Sequence, residues 1–413
     1  MLIQIIPSHI LRRMRSDDSS PPDRLIAATS IAVFALCLPF GCRQAPADNR
    51  SFIIASDSKS DAPTHKNVEF QRFSYQQIIM GGKASLTLYA PDQESAKAAA
   101  RDAFQAMNRL DAVLSDYRSN SESMLACAIA KDASPTTPVA VHISSELADA
   151  IKKSQHFSEI TNGAFDLTVG PFSKLWRSTK KTNVKPDPLT LSIAKQSVGF
   201  RKITTSNTPL VQGAQIVAHK QPPPEPGTYL IFHAPNMRLD FGGIGKGLAA
   251  DEALRILHQN HHITRALINM GGDLRIGDPP PGRNGWSILI ETFNPDHPDQ
   301  NLTVTNCAVA TSGDLEQFIE LDNIRFSHII NPATGLGLSQ RIASTVIAPN
   351  AATADALASA TCVLGISKSI RLIEQLNEIE ARIATINSTG LTSIATSAGF
   401  PRQKHKPRDS PIG

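Results

Sequence analysis

The chain has 413 residues, enough to bury a sizeable core, and 41% of them are apolar, the share of a folded globule rather than a disordered chain. Its 41 lysines and arginines nearly balance 37 aspartates and glutamates, a formal charge of +4, which argues against nucleic acid as a partner. Five cysteines without metal-ligand spacing argue against a zinc site or a disulfide framework, and Cys127, Cys307 and Cys362 read as small core residues.

At the N-terminus, Arg12, Arg13, Arg15 and Arg24 precede an apolar run from Leu25 to Phe40, which ends at Gly41-Cys42. A basic start, a short apolar stretch and a small residue before the break predict an export signal. The run is shorter than the about 20 residues of a membrane span. Its "LPFGC" ending resembles a bacterial lipoprotein signal, whose cysteine becomes lipidated. Residues 1–42 are therefore expected to be a lipoprotein-type signal, with a plain signal peptide or an uncleaved anchor as alternatives. The expected location is the inner membrane, facing the periplasm. Residues 43–67 are polar and rich in Ser, Asp and Pro, as in a flexible tether. A folded domain is expected over 68–400, followed by a basic, solvated tail at 401–413.

Within that domain, Ala84 to Ala90 reads as a strand. Ala103, Met107, Leu110 and Leu114 recur at helical spacing. A second helix is expected after Ile143, capped by Ser144 or Ser145, with Leu147, Ile151 and Ile160 along its apolar stripe. A third falls in "PDPLTLSIAKQSVGFRKI". The stretch from Thr204 to Thr228 reads as a strand pair with an irregular loop. After Lys246 a helix places Leu248, Leu254 and Leu257 on one side. "RALINM", "WSILIE", "LTVTNCAVAT", "IRFSHII" and "ASTVIAP" then read as strands, and a helix returns at Thr353. Helices and strands mixed without strict alternation predict an α+β fold. No GxGxxG follows a first strand, which disfavours a nicotinamide-type fold.

Glycine-bearing turns recur beside polar residues. In "RLDFGGIGKG", Gly242, Gly243, Gly245 and Gly247 let backbone approach a ligand, ahead of a helix start that favours an anion. Lys246 adds a charge suited to phosphate. Asp240 suits a sugar or base edge, or a cation. Asp166 lies in "GAFDLTVG", Asp273 in "NMGGD" and Ser312 in "ATSGD". His328 ends a strand in "SHIINPATG", and Asp355 opens a helix with Ser359 one turn later. Taken singly, each fits a bland role: a surface histidine, a dipole-favouring aspartate or a turn-capping aspartate.

Together these pieces resemble the FAD:protein FMN transferases, the ApbE-type family. The matching stretches are "MGG" at Met80, "LSDYRSNSE", "GAFDLTVGPFSKLW", "VGF", "LDFGGIGKG", "LINMGGD", "ATSGD", "SHIINPATG" and "ADALASATCVLG". The resemblance implies an α+β domain, FAD as donor, Mg2+, and FMN transfer to a threonine or serine of a partner protein with release of AMP. It implies an acceptor of the membrane redox type. Met80 and Tyr117 match positions flanking the flavin nucleotide. Ala164, Phe165 and Asp166 match a turn that contacts FAD; Asp240, Lys246 and Ile330 match further nucleotide-binding positions. Gly243, Asp355 and Ser359 match metal ligands, and His328 matches a proposed catalytic base.

The sequence also departs from the family. "MGG" stands for the usual Met-Gly-Thr, Ser359 for a common threonine, and Asn331 for a common aspartate. Ala358 stands where some members carry a second carboxylate. The alternatives are an FAD pyrophosphatase giving FMN and AMP, and a non-catalytic flavin-binding lipoprotein.

Overall fold

The computed structural model describes residues 69–208, 215–217, 227–290, 300–314, 317–387 and 389–401. The expected signal and tether, and nearly all of the basic tail, lie outside these residues.

In chain order the elements are β1 (Gln71–Ile79), β2 (Gly82–Ala90), α1 (Gln93–Leu114), α2 (Glu122–Ile129), β3 (Val139–Ile143), α3 (Ser145–Ile160), α4 (Gly170–Thr182) and α5 (Pro188–Lys195). There follow β4 (Ile203–Ser206), β5 (Gln215–Val217), β6 (Thr228–Phe232), α6 (Gly245–His261), β7 (Ala266–Met270), β8 (Asp273–Ile276), β9 (Trp286–Ile290) and β10 (Gln300–Val304). The last are β11 (Ala308–Gly313), β12 (Phe318–Leu321), β13 (Ile324–Ser327), β14 (Arg341–Ala348), α7 (Ala351–Leu364), α8 (Ile366–Ile373), β15 (Glu380–Ile386) and β16 (Thr392–Thr396).

An eight-stranded sheet runs β1-β2-β7-β8-β11-β14-β15-β16, and each neighbouring pair is antiparallel. Side chains alternate across it. Leu86 and Leu88 of β2 enter the main core, whereas Tyr89 turns to the other face and meets Trp286 edge-on. The β9–β10 ribbon covers that second face with Trp286, Ile288 and Leu302. Helices α1, α6 and α7 belong to the main core, which gives the α+β architecture the mixed pattern predicts.

Helix α1 begins where Asp92 accepts the Ser95 amide at 2.8 Å, and it buries Ala103, Met107, Leu110 and Leu114. Of the two candidate caps for α3, Ser144 is the one used; it accepts the Leu147 amide at 3.2 Å. Leu147 and Ile151 are buried and Ile160 is half-buried. Six of the ten buried residues of helix α7 are alanine, and it packs against α6, β11 and β14. Short side chains permit that close approach. At the crossing, a Cβ on Gly247 would lie 2.6 Å from the Ala351 carbonyl carbon and 2.7 Å from Ala352 Cα. Gly247→Ala is therefore expected to push α6 off α7. Overpacking costs about 1–3 kcal/mol or more, so calorimetry should show a Tm lowered by several degrees; an unchanged Tm would contradict this packing.

Several elements differ from expectation. "LTVTNCAVAT" is two strands rather than one. Asn306 takes φ 49° between them, so β10 joins the outer ribbon and β11 the central sheet. Asparagine tolerates that left-handed turn, and strand propensity does not reveal it. At the ends of the 204–228 region β4 pairs antiparallel with β6, which begins at Thr228, and an unexpected third strand, β5, runs parallel to β3, in the order β4-β6-β3-β5. The third expected helix shrinks to α5, which buries none of its residues. Helix α7 starts at Ala351, with Asn350 accepting the Thr353 amide at 2.9 Å, so Asp355 sits in its second turn rather than its first. Among the described residues, no helix is long and apolar enough to cross a membrane.

Candidate functional site

The turn between Arg238 and Gly247 is built from its own polar groups. Asp240 Oδ1 accepts the Gly242 amide at 2.8 Å, and the Gly245 amide reaches the Phe241 carbonyl at 2.7 Å, which starts α6. The Asp240 amide donates to Leu167 O at 2.7 Å, tying this turn to the 164–167 turn. A Cβ on Gly243 would sit 3.2 Å from Ser359 Oγ and 3.3 Å from a Phe165 ring carbon. Glycine here thus lets the turn close on α7.

On that side, Asp355 is buried, and its Oδ2 accepts the Gly247 amide at 3.1 Å. Asp273, also buried, is bonded to the Lys246 ammonium. Burial, then the charge of Asp273, push the Asp355 carboxyl up to about 7, against the partial relief of Lys246. Burial disfavours the Lys246 charge, but Asp355 and Asp273 outweigh it and hold its pKa above the ordinary value. Two buried carboxylates face one ammonium, more acid than one cation balances, so Asp355 keeps its proton up to about neutral pH. Ser359 Oγ lies 3.1 Å from Ser312 Oγ beside this group. A hard divalent cation with oxygen ligands suits such a set. Asp355 and the Ser359 hydroxyl, with Gly243 packed close to Ser359, are oxygen-bearing groups of that kind, though among the described residues no three His, Cys, Asp or Glu side chains gather as a metal centre.

On the other side of the turn, Arg177 Nη2 lies 3.5 Å from Asp240 Oδ2, and its Nη1 lies 2.5 Å from Asp116 Oδ2. Its guanidinium carbon sits 3.9 Å over the Tyr117 ring, which is 79% exposed and so open to a ligand. Burial, then the nearby Asp240 charge, raise the Asp116 carboxyl despite its arginine partners. Arg177 thus joins Tyr117 to Asp240, two positions that sequence could not place together.

Asp166 is committed to the fold. Its Oδ1 accepts the Thr168 amide at 2.8 Å and hydroxyl at 2.6 Å, and its Oδ2 accepts the Phe200 amide at 2.9 Å. Burial raises its pKa, with those hydrogen bonds in opposition. Ala164 is half-buried and Phe165 buried, its ring edge-on to Phe157. Met80 and Gly81 form a two-residue hairpin with φ of 51° and 72°. A two-residue hairpin turn of this hand requires φ > 0 at both positions, so methionine takes a conformation that glycine or asparagine usually fills. The Gly271–Gly272 tip lies at the same end of the sheet, where the Gly271 amide reaches Lys83 O at 3.1 Å.

His328 is exposed on one side, and its Nδ1 lies 3.1 Å from the Gln317 carbonyl. A carbonyl only accepts, so Nδ1 carries the proton and Nε2 keeps its lone pair. Crowding by protein lowers the imidazole pKa; the Gln317 bond opposes this, and the Lys246 charge adds to it. Ile330 is held by a β-bridge to Gly337.

Asp273, Ser312, Asp116 and Arg177 were not expected at the site. Asp273 and Ser312 carried a sequence signal, each within a glycine-bearing motif, and Asp116 adjoins Tyr117. Asp251 gave no signal. From α6 it accepts the Ala351 and Ala352 amides at 2.8 and 2.9 Å, so it fixes the start of the helix that carries Asp355. Asp251→Ala is expected to cost about 1–2 kcal/mol through the lost cap, measured as a lower urea midpoint with an unchanged slope.

Buried oxygens and one ammonium are gathered where a glycine turn enters a helix on an antiparallel sheet, in an α+β protein. The model of the ApbE family matches residues 80–383. An FAD:protein FMN transferase of Treponema pallidum (strain Nichols) is 30% identical over 324 residues, covering 75% of this chain and 84% of the relative. One from Escherichia coli (strain K12) is 30% identical over 274 residues, covering 64% and 70% respectively. The flavin transferase ApbE from Vibrio cholerae superposes with a TM-score of 0.66 at 23% identity, over 80% of this chain and 99% of that one. The chain belongs to the ApbE family, whose curated members are enzymes named FAD:protein FMN transferase.

Proposed function

We propose that the chain transfers FMN from FAD to a threonine or serine hydroxyl of an acceptor protein, with Mg2+, and releases AMP. The observation that carries this reading is the pair of buried carboxylates, Asp355 and Asp273, set with a single Lys246 at the glycine turn that opens α6. Asp355, Ser359 and the Gly243 carbonyl would hold Mg2+. When bound, the ion supplies charge neutralisation on the diphosphate. Lys246 adds a fixed positive charge near the reacting phosphorus. Tyr117, Arg177 and Asp240 orient the nucleotide, with Met80, Ala164, Phe165 and Ile330 shaping its surroundings. His328 Nε2 takes the proton of the acceptor hydroxyl. The hydroxyl oxygen bonds to the FMN phosphorus, the diphosphate bridge breaks, and AMP leaves with the bridging oxygen.

Incubation of the full chain with FAD, Mg2+ and an acceptor peptide tests the reading by mass spectrometry. Covalent FMN on the peptide with matching AMP is the expected result. AMP without peptide labelling would establish the pyrophosphatase alternative, and neither product would leave flavin binding alone. The basic, apolar N-terminus supports export and lipidation at Cys42, and hence a membrane redox acceptor. Loss of membrane fractionation in Cys42→Ala tests that placement.

A further inference from the structure

A cleft of about 700 Å³ opens between α3, α6 and the start of α7. None of the residues expected at the flavin and metal site lines it. Lys152, Lys153, Arg255 and Arg275 do, with His156 and His258. Asp251, the one carboxylate of the lining, is already engaged by two helix amides and by Arg275 at 2.9 Å. Glu252, next to it on α6, pairs with Arg255 at 2.6 Å. Arg275 and Arg255 are thus matched by one carboxylate each, while Lys152 and Lys153 add two further cations with no ion pair within 4 Å among the described residues, Lys153 acting only at longer range on Asp251 and Glu252. In a chain of nearly balanced charge, this concentration in one concavity is a local excess that focuses positive potential. The first amides of α7 are taken by Asp251 and Asn350, so an anion here must be held by side chains. Phe157 and Leu254 give the cleft an apolar wall. Its volume lies within the range of about 300–1,000 Å³ for small-ligand sites.

We propose that this cleft binds a phosphate-bearing ligand of about mononucleotide size, at a site separate from the flavin turn. The Lys152 and Lys153 ammonium groups grip the phosphate oxygens, Arg255 and Arg275, held by their own partners, add positive potential around them, and the apolar wall takes the organic body. The test fills the flavin site first, with FAD and Mg2+ on the full chain. Ribose 5-phosphate is then titrated by calorimetry, and the imidazole resonances of His156 and His258 are followed by NMR. Saturable binding that moves both resonances is expected. The double variant Lys153→Glu/Arg255→Glu, at exposed positions, should weaken it at least tenfold while leaving the KM for FAD unchanged. Competition by phosphatidylglycerol vesicles would place the phosphate on a lipid headgroup; displacement by inorganic pyrophosphate without vesicle competition would place it on a soluble molecule. Absence of saturable binding, or equal binding in the double variant, would overturn the proposal.

Discussion

Asp355→Asn is expected to give a protein that is more stable without metal and almost inactive. Transfer should fall by on the order of 10²–10³-fold, the scale of loss when one preorganised electrostatic element of an active site is removed. The stability gain has a definite pH signature. The native carboxyl titrates at about 7, against an ordinary value of 3.8, so the folded state retains a proton that the unfolded chain releases in between. Stability therefore falls as pH rises from about 4 to 7. Asparagine removes that penalty. Above pH 7 the metal-free variant should exceed the parent by on the order of a few kcal/mol, since each pKa unit is worth about 1.4 kcal/mol. The difference should vanish near pH 4. Urea denaturation at both pH values measures it, and Mg2+ should raise the parent's Tm but not the variant's. Full activity, or a less stable variant at high pH, would remove Asp355 from the role given to it.

His328→Ala is the second large effect. Loss of a general base costs about 10²–10⁴-fold, and the structure predicts where pH enters. Protein crowding, aided by the Lys246 charge, holds the imidazole below its usual 6.5, so Nε2 is already free at neutral pH. The parent's kcat/KM should be flat near neutrality and decline on an acid limb below pH 6.5. The variant should lose that limb along with its rate. Because one side of His328 is exposed, added imidazole should restore part of the activity. A variant with the parent's acid limb intact would assign the proton to another group.

These two residues show how legibility differs across the site. The Asp355–Ser359 pair was visible as a spacing, because one helical turn puts both on one face. Its partner Asp273 was visible only as an acid after glycines. The pairing with Lys246 needs β8 beside α6, a contact between segments 27 residues apart. Asp166 belongs by resemblance to a turn that contacts FAD, and only the fold shows its carboxylate holding that turn through Thr168 and Phe200. Asp251 belongs to none of the sequence motifs, and only the packing of α6 against α7 gives it the Ala351 and Ala352 amides. The split of "LTVTNCAVAT" turned on one left-handed asparagine, a choice that local propensity does not encode.

What the sequence determined alone was local: the α1 stripe, the serine cap of α3, the glycine turn ahead of α6 and the order of the family motifs. Such features depend on neighbours within a few residues, whose spacing is written directly in the chain. What the tertiary structure decided was charge balance and proximity: Arg177 bridging Tyr117 to Asp240, Gly243 against Ser359, and two buried acids sharing one lysine. Those follow from burial and from contacts between distant segments, and the perturbed acidity arises only when the core excludes water from around them.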